Sequence, residues 1–281
     1  MKEEILSLPR FDMGKSFEIS DVKGLYGFYK RNGYGFFAKN PVCIYQNKKI
    51  VGVKSPDPIR LSDLKGYERQ KNIIIGNTRL FLSGREANNV LLYGDKGTGK
   101  SSTVKAVVNE FQEEGLRLIE IRKEDLSDFH TLCEILSESP FKFIVFLDDI
   151  SFAKEDESFG TLKAVIEGGI VRRPDNVIIY ATSNRRHLVN EKFSDREGDD
   201  IHIKDTIETI TSLSDRFGIE VVFGAPDKDE YLKIVTELAA EQGIEMDAES
   251  LYLLAERFAL LKSGRSPRTA RQFVTSLLAR E

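Results

Sequence analysis

The chain has 281 residues, of which 41% are hydrophobic and 31% are charged, and its formal net charge at pH 7 is −4. This composition is typical of a globular protein, and the acidic balance gives no overall attraction for nucleic acid. No stretch approaches the roughly 18 apolar residues of a membrane-spanning helix, and the chain does not start with a signal peptide's basic end and apolar run. We therefore expect a cytoplasmic protein without membrane contact.

The residues that commonly bind metals or form disulfides are few and scattered. Cys43 and Cys133 lack paired spacing, and three histidines (His130, His187 and His202) lack the spacing of metal ligands. We expect two reduced, packed thiols and ordinary histidines, and a functional role for the histidines is the less favoured alternative.

The first part of the chain, residues 1–58, is predicted to be a small N-terminal subdomain that acts as an adaptor. Turn-forming residues at 54–58 mark its end. Within it, residues 24–39 interleave glycines and aromatics with basic residues. Aromatics beside cations are typical of single-stranded nucleic-acid binding, whereas an Asn-Gly turn and the absence of a single aromatic face favour packing in a small core. We favour packing, with an exposed protein-contact surface as the remaining alternative.

Residues 59–225 are predicted to form an α/β domain with a five-stranded parallel sheet flanked by helices. Apolar runs alternate there with segments of helical length, which is the pattern of strands that are buried on both faces. The polar segment 193–205 is interpreted as a solvated loop, with an insertion that contacts a partner as the alternative. The five predicted strands are Val90–Tyr93, Leu116–Ile121, Phe143–Leu147, Val177–Thr182 and Glu220–Phe223.

The rest of the chain, 226–281, is predicted to be a small helical domain that we call the lid. Asp227 is a good N-cap with Glu230 three residues later, and Gly243 and Gly264 separate the helices. The three predicted helices are Lys228–Gln242, Ala248–Lys262 and Pro267–Arg280.

Residues 94–101, with the sequence GDKGTGKS, form a phosphate loop between the first predicted strand and a helix. In such a loop the backbone N–H groups and the helix N-terminus bind phosphate oxygens. Lys100 is expected to reach the β- and γ-phosphates, and the Ser101 hydroxyl to ligate Mg²⁺. This loop predicts nucleotide binding.

Polar residues follow two of the predicted strands. Asp148 and Asp149 end the third strand, where ligands of parallel sheets gather, and we expect Asp148 to support Mg²⁺ with Ser101 while Asp149 orients the attacking water. The alternative is that these acids only end a strand at a solvated loop. Asn184 ends the next strand and is expected to hold the water and sense the γ-phosphate, or else only to close a turn.

With these motifs the chain, from about Leu61 onward, resembles the AAA+ ATPases. GDKGTGKS is similar to the Walker A motif, FIVFLDD to Walker B, and residues 181–184 to the first sensor. Residues 213–218 resemble the segment of the arginine finger, which the resemblance assigns to Arg216. Residues 264–270 resemble the second sensor, best matched by Arg268, with Arg265 and Arg271 as rivals. Surface salt bridges are the alternative role for Arg216 and Arg268.

The same resemblance extends to the segment before the core. Residues 63–70 are similar to the part of AAA+ proteins that packs against adenine. More narrowly, residues 88–95, the LDDISF sequence and ATSNRRHL resemble an uncharacterised family of bacterial AAA+ ATPases. The implied nucleotide-binding residues are Gly66, Tyr67, Gly94, Asp95, Lys96, Gly97, Thr98, Gly99, Lys100, Ser101, Ser102 and Arg268.

The predicted function is Mg²⁺-dependent ATP hydrolysis that remodels or loads a macromolecular partner, which we expect to be protein rather than nucleic acid. We expect a homo-oligomer in which Arg216 acts on the site of a neighbouring subunit. The alternative is a slow or non-hydrolysing switch or scaffold, because Asp149 is one methylene shorter than the glutamate usual in the superfamily. A small-molecule kinase would have no need for the segments that contain Arg216 and Arg268. A GTPase would need a guanine-reading segment, and none follows the strand that ends at Asn184.

Overall fold

The fold is taken from a computed structural model, which describes residues 35–150, 157–167, 173–184, 215–262 and 264–279. Seven strands form a single sheet in the order β2-β1-β4-β5-β6-β3-β7. The hairpin of β1 and β2 is antiparallel, and the other neighbours pair in parallel. The strands are β1 Val42–Gln46, β2 Lys49–Gly52, β3 Val90–Gly94, β4 Leu116–Ile121, β5 Lys142–Leu147, β6 Val177–Ser183 and β7 Ile219–Phe223.

The predicted α/β architecture with a parallel sheet is confirmed, but the sheet has seven strands rather than five. The extra strands, β1 and β2, come from residues that we assigned to the N-terminal segment. They are short: β2 alternates between exposed and half-buried residues, and the four apolar residues 42–45 of β1 lie in the segment that we assigned to a separate subdomain. Asn47 and Lys48, with φ of 50° and 60°, form the tight turn between them. The boundaries at 58 and 226 stay predictions.

Helices cover both faces of the sheet. Side chains alternate along each strand, so Phe143 and Val145 of β5 pack in one core cluster while Ile144 and Phe146 pack in the other. The helices are α1 Phe36–Lys39, α2 Glu68–Leu82, α3 Lys100–Phe111, α4 Phe129–Ser137, α5 Glu157–Glu167, α6 Lys228–Glu241, α7 Ala248–Leu261 and α8 Pro267–Leu278. None of the helices in these described ranges is long and apolar enough to cross a membrane.

The lid helices α6, α7 and α8 share a third core cluster, which includes Tyr231, Ala255 and Phe273. Each helix begins at a side-chain cap: Asp227 accepts from the Glu230 N–H at 2.9 Å, and Asp247 and Ser266 accept in the same way. The cap predicted at Asp227 is therefore present. Such caps satisfy N–H groups that would otherwise lack a partner, so the start of each lid helix is well defined.

Most of the aromatic segment 24–39, like the polar segment 193–205, lies outside the described residues. At its end, the Phe37 ring packs edge to face against Phe143 with the centroids 4.8 Å apart, whereas Phe36 is 45% exposed. Arg117 is buried, stacks over Phe141 and donates to the Phe37 carbonyl at 2.6 Å. Burial lowers the pKa of Arg117 to about 10. Residue Phe37 thus packs against the core, and the packing predicted for the rest of this segment stays a prediction.

Candidate nucleotide-binding site

The phosphate loop lies between β3 and α3, as predicted. Gly94, Gly97 and Gly99 have φ of 135°, 78° and 95°, which side chains with a Cβ rarely adopt. At Gly94 a Cβ would also lie 2.2 Å from the carbonyl oxygen of Phe223 in β7. The loop then opens directly into α3, whose first N–H groups face an incoming anion. The backbone conformation therefore favours glycine at all three positions, and close packing excludes a side chain at Gly94 as well.

Lys100 is held in the loop by three acceptors. Its ammonium donates to the carbonyls of Gly94 at 3.0 Å and Asp95 at 2.7 Å, and to Asn184 Oδ1 at 3.0 Å. The side chain is only 6% exposed. Burial lowers its pKa, and the carboxylates of Asp149, Asp95 and Asp148 oppose that effect. A largely desolvated cation is thus already placed at the loop.

The two acids at the end of β5 are joined to this lysine by hydrogen bonds through the end of β6. Asn184 Nδ2 donates to Asp149 Oδ1, while its own Oδ1 accepts from Lys100. Asp148 Oδ1 accepts from Ser101 Oγ at 2.5 Å and from Thr182 Oγ1 at 2.6 Å. All the strand-end residues that we predicted to act together are therefore in contact.

The donor set beside the loop fits a magnesium ion. Hard oxygen ligands from a hydroxyl and a carboxylate are what Mg²⁺ prefers, and Ser101 and Asp148 supply one of each. No cluster of three or more histidine, cysteine or acidic side chains suitable for a metal occurs in the described ranges. An ion here would therefore need phosphate oxygens and water to complete its shell, as is common for nucleotide-bound Mg²⁺.

A cavity of about 560 Å³ lies between the loop, the strand ends, the segment before α2 and the lid. Its volume is in the range of ordinary ligand pockets. The predicted site residues that line it are Gly66, Tyr67, Lys96, Gly97, Thr98, Gly99, Lys100, Ser101, Ser102, Asp148, Asp149, Asn184 and Arg268.

One wall of the cavity is apolar, and most of its residues were not predicted. Tyr67 stacks on Phe223 with the ring centroids 5.2 Å apart, and its hydroxyl donates to the Gly224 carbonyl at 2.7 Å. Burial raises the pKa of Tyr67, so the phenol stays neutral. This wall suits a planar base. The residues that the sequence did not single out are Ile59, Leu64, Phe223, Ile234 and Leu238.

The lid reaches the phosphate loop at the start of α8. The Arg268 N–H donates to the Gly97 carbonyl at 3.2 Å, and both Arg268 and Arg271 line the cavity. Arg271 also donates to the Asp63 carbonyl at 2.8 Å. Arg265 pairs instead with Glu256, through two hydrogen bonds of 2.9 and 2.6 Å, and does not line the cavity.

Three of the predicted site residues do not line the cavity. Gly94 and Asp95 accept from Lys100 through their carbonyls, and the Asp95 carboxylate binds the Ala225 N–H at 2.7 Å. Arg216 lies in the short 3₁₀ helix Asp215–Phe217 before β7, where its side chain is exposed. The roles assigned to these residues stay predictions.

The protein-family model described as "Protein of unknown function (DUF815)" matches residues 38–281. The replication factor C large subunit of Aeropyrum pernix is 26% identical over 150 residues, which are 50% of this chain and 30% of that protein. The chromosomal replication initiator protein DnaA of Borrelia garinii is 23% identical over 261 residues, which are 83% of this chain and 49% of that protein.

Among solved structures, the RuvB Holliday junction branch migration motor of Thermotoga maritima has the same fold, with a TM-score of 0.51 and 17% identity. The match covers 79% of this chain and 65% of RuvB. The chain therefore spans half or less of the curated relatives described above. These relatives are AAA+ proteins, and the family model covers most of the chain. The chain thus belongs to the DUF815 family, within the AAA+ superfamily.

Proposed function

We propose that this protein binds ATP with Mg²⁺ and hydrolyses it to drive a change in a macromolecular partner. The observation that carries this proposal is the continuous set of hydrogen bonds from Lys100 through Asn184 to Asp149. It connects a phosphate-binding cation, a γ-phosphate sensor and a carboxylate that can orient water, which are the parts that phosphoryl transfer needs. A protein that only bound nucleotide would not need the last of them.

In this proposal the base lies against the apolar wall at Tyr67, and the phosphates lie on the loop. Lys100 then exchanges its carbonyl and amide partners for phosphate oxygens, which frees Asn184 Oδ1 to hold the attacking water. Asp149 accepts from that water and orients it in line with the γ-phosphate. Ser101 and Asp148 would hold Mg²⁺, which would supply positive charge to offset the negative charge of the phosphates.

Charge in the transition state also needs a cation from outside the loop. Arg268 on the lid lines the cavity and supplies one from within the chain. Arg216 is exposed and does not line the cavity of its own chain, which is consistent with a role in the site of a neighbouring copy. We therefore propose that the active form is a homo-oligomer with sites shared between subunits.

The acidic net charge favours a protein partner. The names of the relatives, a replication initiator, a replication factor and a branch migration motor, make DNA the competing candidate. Phosphate release measured with and without single-stranded and double-stranded DNA separates these classes, since a DNA-dependent motor is stimulated by its substrate.

A slow nucleotide-dependent switch is the second candidate function. It is favoured by Asp149, whose carboxylate reaches less far than a glutamate. Steady-state phosphate release by the unmodified protein and by Asp149→Glu distinguishes the two. A switch releases almost no phosphate until the longer side chain is introduced, whereas an ATPase already turns over.

The main test uses two inactive variants, Arg216→Ala and Lys100→Ala. Each one removes a residue from a different side of the proposed site between subunits. We expect Arg216→Ala to bind ATP normally but to lose about 1,000-fold in turnover, as removal of an arginine finger does. The matched control is Arg85→Ala, an exposed arginine that does not line the cavity. Mixing Arg216→Ala with Lys100→Ala should restore part of the activity, because one subunit supplies the lysine and its neighbour the arginine.

Equal loss of ATP binding in both single variants would contradict the role of Arg216. Failure of the mixture to recover activity, although both variants assemble, would contradict a shared site.

A further inference from the structure

The Thr182 side chain contacts both acids at the end of β5. Its hydroxyl donates to Asp148 Oδ1 at 2.6 Å and accepts from the Asp149 N–H at 2.8 Å. The residue is 1% exposed, so these hydrogen bonds have little competition from water. One hydroxyl therefore binds the side chain of the metal-site acid and the backbone of the water-orienting acid.

Thr182 also holds the turn that follows β5. Its carbonyl accepts from the Ile150 N–H at 2.8 Å, so two consecutive N–H groups after Asp148 are bound to one residue of β6. Asp149 within this turn has a φ of 51°, in the left-handed region that residues other than glycine seldom adopt. A conformation of this kind persists only where surrounding contacts hold it.

This backbone conformation determines where the shorter carboxylate points. Asp149 Oδ1 is within hydrogen-bonding distance of Asn184 Nδ2, and Asn184 in turn binds Lys100. An aspartate has one methylene less than glutamate, so its backbone must come closer to the nucleotide for the carboxylate to reach the same water. Among the described residues, the left-handed turn at Asp149 can bring its backbone closer.

We propose that Thr182 is a positioning residue that acts through both Asp148 and Asp149. Its hydroxyl fixes the rotamer of Asp148 toward Ser101. It also holds Asp149 in the left-handed turn, from which the short aspartate side chain can reach and orient the attacking water. This inference rests on the proposed function, but it predicts an effect on Mg²⁺ binding that does not require turnover.

The test compares Thr182→Val, which keeps the shape but removes both side-chain hydrogen bonds, with Thr182→Ser, which retains the hydroxyl. For Thr182→Val we expect the Mg²⁺ concentration that gives half of the maximal Mg²⁺-dependent gain in ATP affinity to rise about tenfold. We also expect kcat to fall by about tenfold or more, while ATP affinity in EDTA stays within about twofold. Thr182→Ser should recover most of both losses.

The matched control is Thr78→Val. Thr78 is fully buried and its hydroxyl also makes two hydrogen bonds, to the Ile74 carbonyl at 2.8 Å and to the Tyr180 hydroxyl at 2.8 Å, but it does not line the cavity. This variant should lower the melting temperature without changing the Mg²⁺ requirement. A purely structural role of Thr182 would give the same result as this control.

A double variant separates action through Asp149 from general damage. In an Asp149→Asn background, Thr182→Val should lower kcat less than it does in the unmodified protein, because the Asp149 carboxylate, one of its two targets, is already lost. An unchanged Mg²⁺ requirement in Thr182→Val, or equal damage in Thr182→Ser, would overturn the proposal. If the unmodified protein releases no phosphate, the proposed hydrolysis fails, but the Mg²⁺ titration still decides the role of Thr182 toward Asp148.

Discussion

The two sides of the cavity are built differently. On the core side, Lys100, Thr182 and Asn184 meet the strand-end acids through a network of hydrogen bonds, and the first two of these residues are almost fully buried. On the lid side, contact with the core includes one hydrogen bond from Arg268 to Gly97, one from Arg271 to Asp63, and a salt bridge between Lys65 and Glu241.

This difference indicates how the site works. The core side is preformed, because its polar groups already satisfy one another and its backbone is part of the sheet. The polar contacts described above between the lid and the core are partly exposed, and such contacts open at a low free-energy cost, which is what a nucleotide-dependent movement requires. We therefore expect substitutions on the core side to abolish binding or chemistry, and substitutions on the lid side to change affinity by smaller factors.

The largest expected effect is the loss of ATP binding in Lys100→Ala. This variant removes a buried cation that we propose to bind phosphate by charge-assisted hydrogen bonds, so we expect the Kd for ATP to rise at least about 100-fold. Isothermal titration with Mg-ATP measures the change. The control Lys105→Ala removes a lysine from the same helix that does not line the cavity, and it should bind normally.

Thermal unfolding shows whether Lys100→Ala remains folded, and we expect little loss of stability because burial disfavours this cation in the free protein. Retention of nearly normal ATP affinity would mean that the core side is not the main phosphate site.

The core side was predictable from the sequence because its residues lie in short contiguous motifs. Residues 94–101 specify a turn and a helix start by themselves, and parallel strands with acids or amides at their ends must meet at one edge of the sheet. Thr182 was missed because, in a sequence, a threonine within an apolar strand looks like any other β-branched strand residue. Only the pairing of β5 with β6 shows that its hydroxyl faces Asp148 and Asp149.

The lid side and the sheet edge were less predictable for a different reason. The contact of Arg271 with Asp63 joins residues 208 positions apart, and no local pattern encodes such a pair. For the same reason the sequence left three arginines open for the second sensor. The structure sets Arg265 apart, because it pairs with Glu256, whereas Arg268 and Arg271 both line the cavity. Strand β2 was missed because a short edge strand lacks a continuous apolar run, and β1 because its apolar residues 42–45 lie in the segment that we assigned to a separate subdomain.

The next largest effect on Mg-ATP affinity is expected for Arg268→Ala, which we compare with Arg271→Ala and Arg265→Ala. Arg268 lines the cavity, so removing its charge should weaken Mg-ATP binding about tenfold, the value of one charge-assisted hydrogen bond. Arg271→Ala should weaken it less, because that side chain already donates to Asp63. Arg265→Ala should leave affinity unchanged. A larger effect for Arg265 than for Arg268 would reverse the assignment.

The smallest expected effect concerns two glycines of the same loop. Gly97 and Gly99 both have positive φ, so alanine strains the backbone at either position. At Gly97, however, the new methyl would also lie 3.0 Å from Ser266 Oγ and 3.2 Å from Arg268 Cβ, whereas at Gly99 nothing lies within 4 Å. Gly99→Ala is therefore the control for strain, and the difference between the variants isolates the contact with the lid.

We expect Gly97→Ala to push the start of α8 away from the loop. Without nucleotide, the Arg268 N–H should then exchange with solvent about fivefold faster than in Gly99→Ala, since its bond to the Gly97 carbonyl is weakened. Hydrogen exchange resolved at the first turn of α8 measures this directly and needs no turnover. Equal exchange rates in the two variants would mean that the contact at Gly97 does not hold the lid. The contacts of Arg271 with Asp63 and of Lys65 with Glu241 would then be the ones that hold it.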